Sequence, residues 1–273
     1  TYTGATFTSD KSYDTDAERD KAAETKKAEL EKTTGKDATI NETEETTYTY
    51  TASGTYIPTF TKTVDVNKKY ESGIMWYEAD SKKEAQDKAY DWAKDKIDDD
   101  LGDYYLIGNI ESNLTVSMTE EETENYNTLF GPVTVVTDDS DYLVSGTVTA
   151  TYAKVTKKTV DQSTFGSLWD DIKALLGSGQ STNEKLKAAA KEAVEADGGI
   201  FLSANWDDWS FNKATIRYVA GVKVTTEEKQ TAQDAKNAVQ GTALEQAKAN
   251  GATGVYNVKT ADAKKIAHTT YSY

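Results

Sequence analysis

Apolar and polar positions along this chain alternate between two periods. Where the spacing is three and four, helices are predicted, each behind a capping signal. Thr15 and Glu18 have the spacing of a capping box ahead of a helical run over residues 16–33, which Gly35 closes. Ser81 and Glu84 open a second run over residues 82–98, ended near Gly102, with Ala85, Ala89, Trp92, Ala93 and Ile97 on one face. Phe165, Leu168, Trp169, Ile172, Leu175 and Leu176 give the sharpest stripe, stopped by Gly177. Ser181 with Glu184 opens a fourth helix, running through Leu186, Ala189, Ala190, Ala193 and Val194 to Gly198-Gly199. Thr231 with Asp234 opens a fifth, running through Ala235, Ala238, Val239, Ala243 and Ala247 to Gly251.

Elsewhere the period drops to two. Residues 47–51 alternate Thr and Tyr and read as a half-buried strand. Strands are also expected over residues 74–78, 104–110 and 114–118. Residues 133–137 and 142–152 read as a hairpin turned by Asp138, Asp139, Ser140 and Asp141, whose short polar side chains suit a turn. Residues 200–206 pair with 214–225 on this reading, and 254–259 with 266–273. A unit of capped helix, glycine stop and two strands therefore recurs. It implies an α+β fold of two-layer sandwiches, with helices packed on one face of mostly antiparallel sheets. A boundary near residue 158 would divide an N-terminal α+β domain, 1–158, from a C-terminal one, 159–273.

The 273 residues carry 46 acidic and 31 basic side chains, a formal charge of -15. That balance argues against nucleic acid, whose phosphates are bound through many Lys and Arg, and against anionic lipid surfaces. No apolar run approaches the ~18 residues of a transmembrane helix. Cysteine is absent, which removes disulfides, thiolate nucleophiles and Cys-ligated metals together. Arg19 and Arg217 are the only arginines, so bidentate clamps on phosphate or carboxylate substrates are scarce. An acidic, Cys-free chain rich in Thr and Tyr suits a secreted or cell-surface protein, with a cytoplasmic one as the alternative. The sequence opens at Thr1 without a signal peptide, consistent with a targeting segment removed or never present.

From Val144 to Val224 the predicted order is strand, the Phe165 helix, a glycine break, an Ala-rich helix, Gly198-Gly199 and two strands. Together with the run Ala247-Lys248-Ala249-Asn250-Gly251-Ala252-Thr253-Gly254-Val255, this resembles small oligomeric bacterial α/β proteins labelled heavy-metal-binding domains. The resemblance implies a fold and self-association. The metal label does not carry over, because the chain has no Cys and one His.

Candidate chemistry is sparse. His268, in the last strand, has no second imidazole to work with and receives no role. Asp138, Asp139 and Asp141 offer oxygen ligands for calcium, but no EF-hand loop surrounds them. Trp206, Asp207, Asp208 and Trp209 combine stacking faces with hydroxyl-binding carboxylates, a pattern that suits core packing, an interface or a sugar. Asn41 and Asn113 head glycosylation sequons. The phosphate loop, dinucleotide, serine-elbow and zincin motifs are missing from the sequence.

These readings favour a non-enzymatic, self-assembling structural subunit of a surface filament, tube or layer, needing no cofactor. Its partner would be itself, through terminal strands carrying Thr1, Tyr2, Thr3, Thr6 and Phe7 at one end and Tyr271 and Tyr273 at the other. The alternative is a monomeric extracellular binding module for glycan or calcium. A hydrolase using two carboxylates is a third reading.

Overall fold

The computed structural model describes residues 11–72, 78–119, 122–138, 140–161, 183–207 and 213–273. It is an α+β fold of antiparallel sheets, with four helices and twelve strands among those residues. The chain divides into two compact units interleaved in sequence. One comprises Thr1–Gly54, Val224–Thr242 and Thr260–Tyr273; the other comprises Thr55–Lys223 and Ala243–Lys259. Residue 158 falls inside a continuous strand.

Four of the predicted helices form, three of them behind the caps expected for them. In α1 (Asp16–Thr34) the Thr15 hydroxyl accepts from the Glu18 amide, and Gly35 ends the helix in the left-handed region at φ 66°. In α2 (Lys82–Leu101) the Ser81 hydroxyl accepts from the Glu84 amide, while the Glu84 carboxylate accepts from the Asp80 amide at 2.7 Å. Helices α3 (Asn183–Ala196) and α4 (Ala232–Ala249) follow, and Thr231 caps the latter through the Asp234 amide. The helix expected over 165–176 lies outside the described residues, as do residues 74–77 of the strand expected at 74–78.

The larger unit is organised by β7 (Tyr142–Asp161). Its residues 142–152 pair with residues 60–70 of β2 (Ser53–Tyr70), and 142–149 also pair with β4 (Glu111–Met118). Farther along, β3 (Tyr104–Leu106) pairs with residues 152–154, and β9 (Lys213–Val219) with residues 155–161. Beyond β9 lies β8 (Ile200–Trp206), while β10 (Val222–Thr225) and β11 (Gly254–Thr260) both join β2.

Burial explains this arrangement. Val144, Val148 and Ala150 of β7, with Val66 and Leu114, form one core cluster with Ala85, Ala89, Ala93 and Ile97 of α2. Three alanines on that face let the helix lie close to the sheet. Val160, at the far end of β7, packs with Leu186, Ala190 and Val194 of α3 and with Ile216. Gly146 sits in β7 opposite both Val66 and Leu114, at φ 138°, and a Cβ there would overlap the Asn113 carbonyl.

The smaller unit contains α1 and a two-stranded ribbon of β1 (Thr43–Thr51) and β12 (Lys264–Ser272), paired from Thr43↔Ser272 to Thr51↔Lys264. A third sheet, of β5 (Glu122–Thr128) and β6 (Gly131–Asp138), turns at Leu129-Phe130.

Several pairings differ from the sequence reading. Residues 133–137 do not form a hairpin with 142–152: β6 pairs with β5, so the Asp138–Asp141 stretch connects two sheets instead of turning one hairpin. Residues 122–128 carry no apolar alternation in the sequence, and residues 123–130 and 132–134 of this ribbon are exposed. Nor does 254–259 pair with 266–273, since β11 joins β2 and β12 joins β1. The strand expected over 214–225 is broken at Ala220-Gly221 into β9 and β10. The strand expected over 104–110 stops at Leu106. The Thr/Tyr strand is exposed from Thr43 to Tyr48 and half-buried only at its end.

Candidate functional site

The smaller unit gathers the terminal residues singled out above. Within the β1–β12 ribbon, register decides which backbone groups point inward. Tyr271 exchanges both backbone hydrogen bonds with Tyr13, at 2.9 and 3.1 Å, so its N–H and C=O face away from β1. Backbone direction alternates along a strand, so Lys265, Ala267 and Thr269 present their groups to the same outer edge. On β1, Tyr50 does likewise with Lys229, at 2.8 Å in both directions, which directs Glu44, Thr46 and Tyr48 outward. Among the described residues, each outer edge meets a strand-like partner at that single position.

One end of the ribbon is anchored by aromatic and ionic contacts. The Tyr13 and Tyr273 rings stack at 6.1 Å, and the Arg19 guanidinium lies 5.4 Å from the Tyr271 ring centroid. Arg19 is buried, bonded to Asp20 at 2.7 Å, to Glu42 at 3.2 Å and also to Asp16. These carboxylates, the hydrogen bond to Asp20 foremost, raise its pKa above the ordinary arginine value. A groove of about 640 Å³ opens here along α1, with Tyr13, Ala22 and Tyr273 in its lining.

The ribbon's side chains are held by polar pairs. Thr46 and Thr269 hydroxyls meet at 3.0 Å, and Lys265 Nζ sits 3.6 Å from the Tyr48 ring centroid. On the opposite face Thr49 donates to Glu228 Oε2 at 2.6 Å, and His268 Nε2 lies 2.6 Å from the same oxygen and 2.8 Å from the Thr49 hydroxyl. The Thr49 hydrogen bond is the main influence holding the Glu228 carboxyl below its usual pKa. A nucleophile relay needs the orienting carboxylate on the other imidazole nitrogen. Here hydroxyl and carboxylate share Nε2, so the cluster fastens β1 and β12 to the segment ahead of α4.

Of the predicted site residues, the structure places Tyr271 and Tyr273 in this region, while Thr1, Tyr2, Thr3, Thr6 and Phe7 lie outside the described residues. Asp141 is buried, with its carboxylate 2.5 Å from Lys69 Nζ and 3.3 Å from the Ser72 amide. Asp138 ends β6 and Asp139 lies outside the described residues. Among the described residues no three or more His, Asp or Glu side chains converge as metal ligands. Trp206 packs on the α3 cluster and Asp207 accepts from the Thr215 hydroxyl at 2.9 Å; Asp208 and Trp209 lie outside the described residues.

The sequence reading gives no site role to Tyr13, Arg19 or the Thr49–Glu228–His268 cluster, whose members are far apart in the chain. It also passed over Leu129 and Phe130, both 101% exposed. Their signal was present: an adjacent apolar pair directly before Gly131-Pro132, where turn residues are ordinarily polar.

Comparison with protein-family models, with curated proteins and with solved structures finds no match to this chain. No helix among the described residues is long and apolar enough to cross a membrane.

Proposed function

We propose that this chain is a non-enzymatic structural subunit that assembles with copies of itself, outside the cell or at its surface. The observation that carries the reading is the β1–β12 ribbon. It has two outer edges, each with backbone donors and acceptors aimed outward, on strands rich in Thr and Tyr. An exposed strand edge is a template for another strand, and proteins that avoid this cover it, shorten it or load it with charge. Lys264 and Lys265 occupy only one end of β12, and its Ala267–Thr270 stretch carries no Lys, Asp or Glu. Adding a terminal strand from the next subunit would build a head-to-tail assembly.

Thr1, Tyr2, Thr3, Thr6 and Phe7 are the donor residues on this reading, and Tyr271 and Tyr273 belong to the acceptor. The test is a truncation lacking residues 1–9, compared with the full chain by light scattering over a range of concentrations. The reading predicts that the truncated chain stays monomeric where the full chain assembles. Normal assembly of the truncated chain would overturn the terminal-strand mechanism.

A further inference from the structure

Each outer edge of the β1–β12 ribbon is met by chain at one end only, and the same device stops both contacts. On β12, Tyr13 makes an antiparallel bridge to Tyr271; two residues later Thr15 caps α1 and the chain leaves the edge. On β1, Lys229 makes an antiparallel bridge to Tyr50; two residues later Thr231 caps α4. Among the described residues, the outward backbone groups of Lys265, Ala267 and Thr269 on β12 therefore meet no further strand. The same holds for Glu44, Thr46 and Tyr48 on β1.

The direction of the first bridge decides whose chain can fill the β12 edge. Because the pairing is antiparallel, the chain ahead of Tyr13 is aimed past the end of β12 at Ser272, away from Thr269 and Ala267. To reach those positions in its own molecule, the segment ahead of Lys11 would have to reverse and cross the stretch that already occupies the edge at Tyr271. A second copy faces no such obstacle.

Residues 1–8 suit an open strand edge. They read Thr, Tyr, Thr, Gly, Ala, Thr, Phe and Thr, mostly residue types that favour strands, and none carries a charged side chain. The two edges differ as acceptors. The open part of β1 begins with Glu44 and Glu45, and charge along an edge discourages strand addition. On β12, Ala267–Thr270 carries no Lys, Asp or Glu, and Lys265 holds its ammonium 3.6 Å from the centroid of the Tyr48 ring.

We infer that the acceptor is the outer edge of β12 from Lys265 to Thr269, and that the strand it accepts is residues 1–8 of a second copy. The pairing runs through backbone N–H and C=O groups, with Ala267 at its centre. This inference rests on the self-assembly reading; it adds which edge receives the strand and that the exchange runs between molecules.

The experiment uses the full chain and two variants. Ala267→Pro removes one outward N–H from β12, and Thr46→Pro removes the equivalent one from β1. Proline is tolerated on an edge strand where the missing N–H would face outward. Circular dichroism and thermal melting first establish that both variants keep the fold. Light scattering over a range of concentrations follows. The inference predicts that Ala267→Pro needs about tenfold more protein to assemble, while Thr46→Pro assembles like the parent. A second measurement leaves the ribbon untouched. A benzophenone side chain at position 7, in a mixture of isotopically distinct copies, should crosslink to β12 of the other copy. Crosslinks to β1, or to β12 within one chain only, would overturn this inference and leave the self-assembly reading standing. So would an Ala267→Pro variant that assembles like the parent, or equal losses in the two variants. A parent chain that stays monomeric at every concentration would remove both.

Discussion

The α2–β4–β7 layer and the β1–β12 ribbon are held together by different forces. In the layer, Val144, Val148, Ile97 and three alanines of α2 are fully buried. Each buried valine or isoleucine contributes about 1.5–3 kcal/mol through removal from water. The first six residues of β1 are exposed, and the ribbon holds by cross-strand hydroxyl pairs, a lysine over a ring, and a buried arginine among carboxylates. Cross-strand pairs of that kind are worth about 0.2–1 kcal/mol each. On the proposed reading, the ribbon held by these weaker contacts is the part of the chain that meets a partner.

The comparison breaks most sharply at Gly146. Its φ of 138° and its approach to the Asn113 carbonyl leave no room for a side chain. Gly146→Val should destabilise the fold by more than about 3 kcal/mol, combining backbone strain with displacement of β4. Urea unfolding monitored by far-ultraviolet circular dichroism measures this. A cost below 1 kcal/mol would mean that β4 does not pack on β7 as described.

Next comes Ile97→Ala in α2, where the side chain is fully buried; the expected loss is about 2–5 kcal/mol. The same urea experiment applies, and a loss under 1 kcal/mol would deny α2 its place in the core.

Acid titration separates the helix caps from the core. The Glu84 carboxyl is held down to about 2, chiefly by the hydrogen bond it accepts from the Asp80 amide. Because the folded value is depressed, its contribution is present above the unfolded glutamate value of about 4.3 and disappears as pH falls toward 2. Glu84→Gln should therefore lower the melting temperature at pH 7 and leave it unchanged at pH 2. An equal loss at both pH values would exclude the carboxylate as the cause.

The smallest effect belongs to the ribbon. A double-mutant cycle on Thr46→Ala and Thr269→Ala should give a coupling of about 0.2–1 kcal/mol. A coupling above 2 kcal/mol would show the ribbon to be as tightly held as the core.

These two regions also differ in how much of them the sequence revealed. Helices α1, α2 and α4 were legible because their caps are local: Thr15, Ser81 and Thr231 each satisfy an amide three residues on. The inward face of α2 was legible through its alanine spacing. Strand pairing was less so, because it depends on partners distant in sequence. Strand β2 was passed over although Tyr56, Ile57 and Val66 are buried in it; Gly54 and Pro58 break its pattern near the start. Residues 254–259 were expected to pair with 266–273, but β11 takes β2 and β12 takes β1. The terminal tyrosines were flagged from composition. Their partners Tyr13 and Arg19 lie some 250 residues away in the chain, and no local pattern connects them.

The central claim is that the exposed ribbon serves other copies of the chain. Size-exclusion chromatography with light scattering on the full chain over a wide concentration range, beside negative-stain microscopy, tests it most directly. The account predicts species growing with concentration and filaments, tubes or rings on the grid. A monomer of 29.9 kDa at every concentration would contradict it.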